Sequence, residues 1–73
     1  MNRIEAKAEV TGSVWKIEAA VGSRLEAGDV IMILESMKME IPVIAEEGGT
    51  LVELVVAEGT AVSEGQVVAV LQG

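Results

Sequence analysis

Three observations predict an all-β fold for this chain. Twelve of the 73 residues are valine, a β-branched residue that favours strands, and Trp15 is the only aromatic residue. Glycines recur between short apolar runs, as turns do between strands. No stretch of ten residues shows clean helical periodicity without a glycine. We therefore expect one domain, residues 1–73, built as a sandwich or flattened barrel of six to eight short strands.

Six longer strands are predicted between the turn residues, three in each half of the chain. They cover residues 4–9, 13–18, 30–35, 39–45, 50–56 and 67–72. Ile33, inside the third apolar run, is predicted to belong to the core. Pro42 has no amide donor, so its strand is expected at a sheet edge or with Pro42 facing outward.

Two polar connectors separate the last strands of each half. Residues 21–29 and 57–66 contain glycine and are too polar for a helix, but each leaves room for a very short strand around Leu25 or Val62. The sequence therefore predicts matching connections in the two halves.

The chain repeats itself with a shift of 37 residues. This shift superposes three glycine pairs: Gly12 on Gly49, Gly22 on Gly59 and Gly28 on Gly65. Repeated turn spacing indicates two similar halves related by a rotation. Because the same shift places residue 38 on residue 1, we expect the turn at residues 35–40 to face away from the chain ends.

Composition and charge exclude several functions. The net charge is −7 and the five basic residues form no cluster, which disfavours nucleic-acid binding. No apolar run is long enough to span a membrane, the N-terminal residues lack the apolar centre of a signal peptide, and there is no cysteine. We expect a cytoplasmic monomer that binds neither nucleic acid nor membrane.

Most catalytic side chains are also missing. The chain has no His, Cys or Tyr, and it has no metal-binding or phosphate-binding motif. Glu46 and Glu47 are adjacent acids, but neighbouring residues of an extended chain point in opposite directions, which favours a solvated loop. A freestanding enzyme is not expected.

The segment ESMKME, residues 35–40, reverses the chain between two predicted strands. Two-residue hairpin turns favour Asn-Gly or Gly, whereas here the centre is Met37-Lys38. One interpretation is that the turn holds the Lys38 amine clear of the sheet as the substrate of an acylating enzyme. The other is that Met37 and Met39 are core residues and Lys38 is an ordinary surface charge.

ESMKME resembles the biotin attachment motif of biotinyl domains, and residues 12–71 also match the glycine spacing of that family. The chain is similar throughout to the biotin carboxyl carrier and biotin/lipoyl attachment family. The resemblance implies a flattened barrel of two four-stranded antiparallel sheets with quasi-two-fold symmetry. Two departures are Ser36, where many members have Ala, and Glu46, where many have Pro after Ala45.

The resemblance also implies a function. Lys38 would carry covalent biotin, and a biotin protein ligase would recognise Met37 and Met39 together with Glu35 and Glu40. The chain would then deliver carboxybiotin from a biotin carboxylase to a carboxyltransferase-type or decarboxylating partner, as a carrier and not as an enzyme.

Two alternatives to biotin remain open at this point. Lipoyl domains share the fold, so lipoate on Lys38 would make the chain a carrier for 2-oxo acid dehydrogenase or glycine cleavage chemistry. Their turn is usually Asp-Lys-Ala, whereas Lys38 lies between two methionines. The second alternative is an unmodified β module that only binds other proteins.

Overall fold

The computed structural model describes residues 2–73, and within that range it contains eight strands and no helix, hence none that is long and apolar enough to cross a membrane. The strands are β1 (Arg3–Lys7), β2 (Gly12–Ile17), β3 (Arg24–Leu25), β4 (Val30–Ser36), β5 (Met39–Ile44), β6 (Gly49–Leu54), β7 (Ala61–Val62) and β8 (Val67–Gln72). The all-β prediction is confirmed. Both connectors form the short strand that the sequence left open, at Leu25 and at Val62.

The strands form two four-stranded antiparallel sheets. Sheet A has the order β1-β8-β6-β3, and sheet B has the order β5-β4-β2-β7. β5 is an edge strand, so Pro42 interrupts no internal ladder of sheet B. The predicted arrangement of two four-stranded sheets is therefore confirmed.

The 37-residue repeat is visible in every strand of the structure. The shift converts β1, β2, β3 and β4 into β5, β6, β7 and β8, and thereby converts the strand order of sheet A into that of sheet B. Local irregularities repeat as well. The register of β2 shifts at Trp15, and that of β6 shifts at the equivalent Val52. The predicted quasi-two-fold symmetry is thus present down to single residues.

The core lies between the two sheets. Its largest fully buried side chains are those of Val14, Ile31, Met32, Leu34, Leu51, Val68 and Leu71. At Ile31 and Val68 a β-bulge breaks the strict alternation, so that Ile31 and Met32 are both buried in β4, and residues 68–71 are all buried in β8.

Ile33 is not a core residue, so that prediction was wrong. Met32 and Leu34, its neighbours in β4, are both completely buried between the sheets. Successive side chains of a strand point to opposite faces, which leaves Ile33 half-buried on the outer face of sheet B.

The β4–β5 turn and the described chain ends lie at opposite ends of the sheets. The amide of Gly73 donates to the carbonyl of Asn2 at 3.0 Å, which brings the two ends of residues 2–73 together. β1 runs away from this end, and residues 8–11 lead from it to Gly12, which packs against Glu35 and Ser36 at the end of β4, next to the turn. Met1 lies outside the described residues.

We expect Leu34→Ala to lower the free energy of unfolding by about 2–5 kcal/mol, because it removes a completely buried side chain from the layer between the sheets. Urea unfolding measures this change. Glu53→Ala, on the exposed outer face of sheet A, is the control and should stay within about 0.5 kcal/mol of the parent. Equal losses for the two variants would contradict the assignment of the core.

Candidate functional site

The β4–β5 hairpin has a two-residue turn with an unusual backbone. Ser36 pairs with Met39, and the two residues between them, Met37 and Lys38, have φ angles of 52° and 66°. They are the two non-glycine residues with positive φ among residues 2–73. Two consecutive left-handed residues match the type I′ turn of tight hairpins. For residues other than glycine this conformation costs roughly 1–2 kcal/mol each.

Contacts from outside the hairpin hold this strained turn. The hydroxyl of Ser36 donates to the carbonyl oxygen of Thr11 at 2.9 Å, and the Thr11 hydroxyl accepts from the amide of Glu64 at 3.1 Å. Gly12 lies so close that an added Cβ would overlap the carbonyl oxygen of Glu35 and touch Ser36. The end of β4 is therefore fixed from two sides. A residue in a rare conformation persists when its surroundings impose it.

The side chains at the turn project into solvent. Met37 is 92% exposed and Met39 is 62% exposed, so the interpretation of these methionines as core residues was wrong. Lys38 is exposed too, and within residues 2–73 it makes no ion pair and no side-chain hydrogen bond. Its amine is accessible on a flexible four-carbon stem.

All five residues singled out in the sequence lie on this hairpin. Glu35 and Glu40 are both exposed and directly opposite each other in the β4–β5 register, one pair behind Ser36 and Met39. Two carboxylates therefore stand at the base of the turn that carries Lys38. The structure shows where Glu35 and Glu40 lie. Their recognition by a ligase stays a prediction.

The other lysines occupy different surroundings. Lys7 ends β1, and Lys16 lies within β2, where its amine forms an exposed ion pair with Glu18 at 3.5 Å. Neither projects from the tip of a hairpin. Among the described residues, no group of three His, Cys, Asp or Glu side chains is arranged to hold a metal ion.

The residues that support the turn were missed in the sequence. In the sequence Ser36 stands out only as a replacement for Ala, Gly12 only as a turn glycine, and Thr11 not at all, although Ser36 and Thr11 are joined by a hydrogen bond across 25 positions of the chain. No local pattern marks such contacts, because they form when β2 and β4 pair within sheet B.

Comparison with known proteins shows the family to which the chain that carries this hairpin belongs. The model of the family described as "Biotin-requiring enzyme", which covers biotin and lipoyl attachment domains, matches residues 5–71, that is, nearly all of the described chain.

This chain belongs to the biotin/lipoyl attachment family.

Two small members of the family resemble it over most of their length. It is 42% identical over 59 residues to the Biotin/lipoyl attachment protein of Bacillus subtilis, which is 81% of each chain. It is also 37% identical over 67 residues to the Biotinylated protein TB7.3 homolog of Mycobacterium leprae, covering 92% of this chain and 94% of that protein.

A large enzyme contains a similar domain. The crystal structure of the Kluyveromyces lactis urea carboxylase matches 99% of this chain with a TM-score of 0.93 and 38% identity, but the match covers only 6% of that chain. The family member described here thus corresponds to one small segment of the enzyme.

We expect Gly12→Ala to displace the hairpin, because the new methyl group would overlap the carbonyl of Glu35. The free energy of unfolding should fall by roughly 1–3 kcal/mol, and the amide NMR signals of Met37 and Lys38 should shift. Gly49→Ala is the matched control, since Gly49 is the repeat equivalent of Gly12 and its added Cβ would meet the carbonyl oxygen of Gln72 at 2.7 Å. It should lower stability but leave the hairpin signals in place. Unchanged hairpin signals in Gly12→Ala would contradict the support described above.

We expect the double substitution Met37→Asn with Lys38→Gly to raise the free energy of unfolding by about 1 kcal/mol. Asn and Gly adopt positive φ more readily than Met and Lys, so the turn would lose most of its strain. Urea unfolding measures the gain. Placing Asn and Gly at Met39 and Glu40 instead, inside β5, should destabilise the protein because both are poor strand residues. A loss of stability for the turn variant would show that the left-handed turn costs nothing.

Proposed function

We propose that this chain is a biotin carboxyl carrier in which biotin is joined to the Nζ atom of Lys38 through an amide bond. The observation that carries the proposal is the exposed Lys38 amine at the tip of a strained hairpin, between two exposed methionines. Membership of the family supports it, as does the likeness to a biotinylated protein and to a urea carboxylase. A free, solvated amine without an ion-pair partner suits covalent attachment.

The attachment step needs an enzyme. Amide formation uses the lone pair of the Lys38 nitrogen, and that nitrogen loses a proton as the bond forms. The biotin protein ligase must therefore remove a proton and supply an activated acyl group. The new bond joins Nζ to the acyl carbon, and the bond from that carbon to its leaving group breaks. We propose that Met37, Met39, Glu35 and Glu40 are the side chains by which the ligase recognises Lys38.

In the carboxyl-transfer steps that follow attachment, the chain positions the cofactor and does not catalyse the reaction. Biotin, when attached, supplies the ring that accepts and gives up a carboxyl group. A tether keeps the cofactor at a high effective concentration in each active site that the carrier visits. We propose a biotin carboxylase and a carboxyltransferase-type enzyme as the partners. The cytoplasmic location and the monomeric state stay predictions.

Biotin fits better than lipoate. The methionines on both sides of Lys38 correspond to the biotin motif, whereas lipoyl domains usually carry Asp and Ala at these positions. A lipoyl carrier and an unmodified binding module are therefore kept as outcomes of the experiment.

We expect the intact protein, coexpressed with a biotin protein ligase, to gain the mass of one biotinyl group, and peptide mapping to place it on Lys38. Lys38→Ala should abolish the gain yet change the free energy of unfolding by no more than about 0.5 kcal/mol, because the side chain is solvated. Lys7→Arg and Lys16→Arg are the controls and should be modified fully.

A second variant separates the position of the lysine from its presence. Met37→Lys combined with Lys38→Met retains the composition of the turn but aims the amine in another direction, so it should take up little biotin. Biotin on Lys7 or Lys16, a lipoyl increment, or an unmodified chain would each overturn the proposed function.

A further inference from the structure

The two halves of the molecule differ on the outer faces of their sheets. In sheet A the edge strand β1 presents Glu5 and Lys7 to solvent, whereas the repeat equivalents in β5 of sheet B are Pro42 and Ile44. We call the apolar surface that results on sheet B the sheet B face. It consists of Trp15, Val30, Ile33, Pro42 and Ile44.

Strand register brings these residues together. Ile33 lies between Lys16 of β2 and Pro42 of β5, and the bulge beside Lys16 places Trp15 next to this row. Val30 pairs with Ile44, three residues from Ile33 in β4 but two residues from Pro42 in β5, because the bulge at residue 31 lies between the two pairs. Trp15 is 50% exposed and Ile44 is 44% exposed, so the sheet B face is in contact with solvent.

The fold does not require apolar residues at Pro42 and Ile44. Sheet A has the same strand order and the same bulges, and it carries Glu5 and Lys7 at these two positions. The positions of Trp15, Val30 and Ile33 are apolar in both sheets, as Val52, Val67 and Val70 in sheet A, so the sheets differ in the edge strand and in the large aromatic side chain. Exposed apolar side chains that are contiguous and rimmed by polar residues mark interaction sites. The difference between the two sheets therefore points to a partner for sheet B.

The sheet B face is continuous with the attachment hairpin. β4 and β5 supply Ile33 and Pro42 and also form the two arms of the turn. At about 3.3 Å per residue, Pro42 lies roughly 13 Å along β5 from Lys38. The sheet B face is therefore rigid surface on the same hairpin as the Lys38 amine, which itself is free to move on its stem.

We propose that the sheet B face is the docking surface of the enzyme that acylates Lys38. This inference rests on the proposed function. An acylating enzyme must hold the Nζ atom within bonding distance of an activated carbonyl. It therefore has to bind the hairpin and the sheet B face beside it. An enzyme that acts on the far end of an attached arm has no such need.

Charge defines the rest of the partner surface. The acidic residues Glu18, Glu35 and Glu40 lie beside the sheet B face, and the neighbouring Lys16 is paired with Glu18. The enzyme should therefore surround an apolar centre with Lys and Arg. A second copy of this chain fits poorly, since two acidic rims would face each other and each copy carries a net charge of −7.

Pro42 also restricts how the partner approaches. β5 is an edge strand, but Pro42 lacks the amide hydrogen that strand addition would use. The enzyme is therefore expected to bind across the face of sheet B and not along its edge.

The test replaces the sheet B face by the chemistry of sheet A. Pro42→Glu with Ile44→Lys copies Glu5 and Lys7, which the fold already accepts at the equivalent positions, and it leaves the net charge unchanged. With a purified bacterial biotin protein ligase, we expect the KM for the carrier to rise at least tenfold while kcat stays within about twofold. For the parent, added salt should raise the KM by weakening the contacts of the acidic rim.

The matched control changes the opposite sheet. Glu5→Gln with Lys7→Ile also preserves net charge and makes the outer face of sheet A less polar, and its KM should stay within about twofold of the parent. Urea unfolding of both variants checks that each is folded. Equal KM values for the two variants would overturn the docking surface, as would a tenfold loss in kcat without a change in KM.

Direct binding distinguishes a wrong docking surface from a wrong function. Trp15 is the only tryptophan, so labelling with 5-fluorotryptophan gives one ¹⁹F signal on the sheet B face. Ligase added to the unmodifiable Lys38→Ala chain should shift or broaden this signal, and an unchanged signal overturns the docking surface.

Sedimentation tests whether a second copy of the chain binds the sheet B face. If the parent is a dimer and Pro42→Glu with Ile44→Lys dissociates it, the face belongs to a second copy instead of the ligase. If the parent takes up no biotin at all, the proposed function fails, and the ¹⁹F titration still decides the surface.

Discussion

The site depends on the close approach of Gly12 in β2 to the end of β4. Because Gly12 has no side chain, the backbone at Glu35 and Ser36 can pack directly against it. That contact and the hydrogen bond from Ser36 to Thr11 hold the last residues of β4, and β5 pairs with them from the other side. The turn between them has no room to relax, so Met37 and Lys38 keep positive φ at a cost that neither residue would bear in isolation.

The same contact exists at the other end of the molecule, where it has a different use. Gly49 packs against the backbone of Gln72 and Gly73 in the way Gly12 packs against that of Glu35 and Ser36. At the hairpin end the chain turns and exposes a lysine, whereas at the other end Gly73 lies beside Asn2. The repeat therefore places a glycine against the end of a strand in both halves. The functional difference is that only one of these strand ends leads into the hairpin that carries Lys38.

A carrier of this kind works through the contrast between rigid and mobile parts. The core between the sheets and the paired strands fix the base of the hairpin, while the four-carbon stem of Lys38 remains free in solvent. Chemistry is left to the cofactor and to the enzymes that the carrier visits. The apolar outer face of sheet B belongs to the rigid part, and we propose it as the docking surface of the enzyme that acylates Lys38, not of the enzymes that act on the attached cofactor.

The sequence by itself determined the strands, the repeat and the position of Lys38 in a chain reversal, because these follow from local composition and from glycine spacing. From Pro42 it also predicted that this strand lies at a sheet edge or that Pro42 faces outward, and the structure shows β5 at the edge of sheet B. Only the tertiary structure decided which side chains face inward: the bulge at Ile31 and the alternation around Leu34 put Ile33 on the outer face, against expectation. The support of the turn by Thr11 and Gly12 depends likewise on strands that pair across some 25 residues, and the left-handed turn exists because that pairing outweighs the local preferences of Met and Lys.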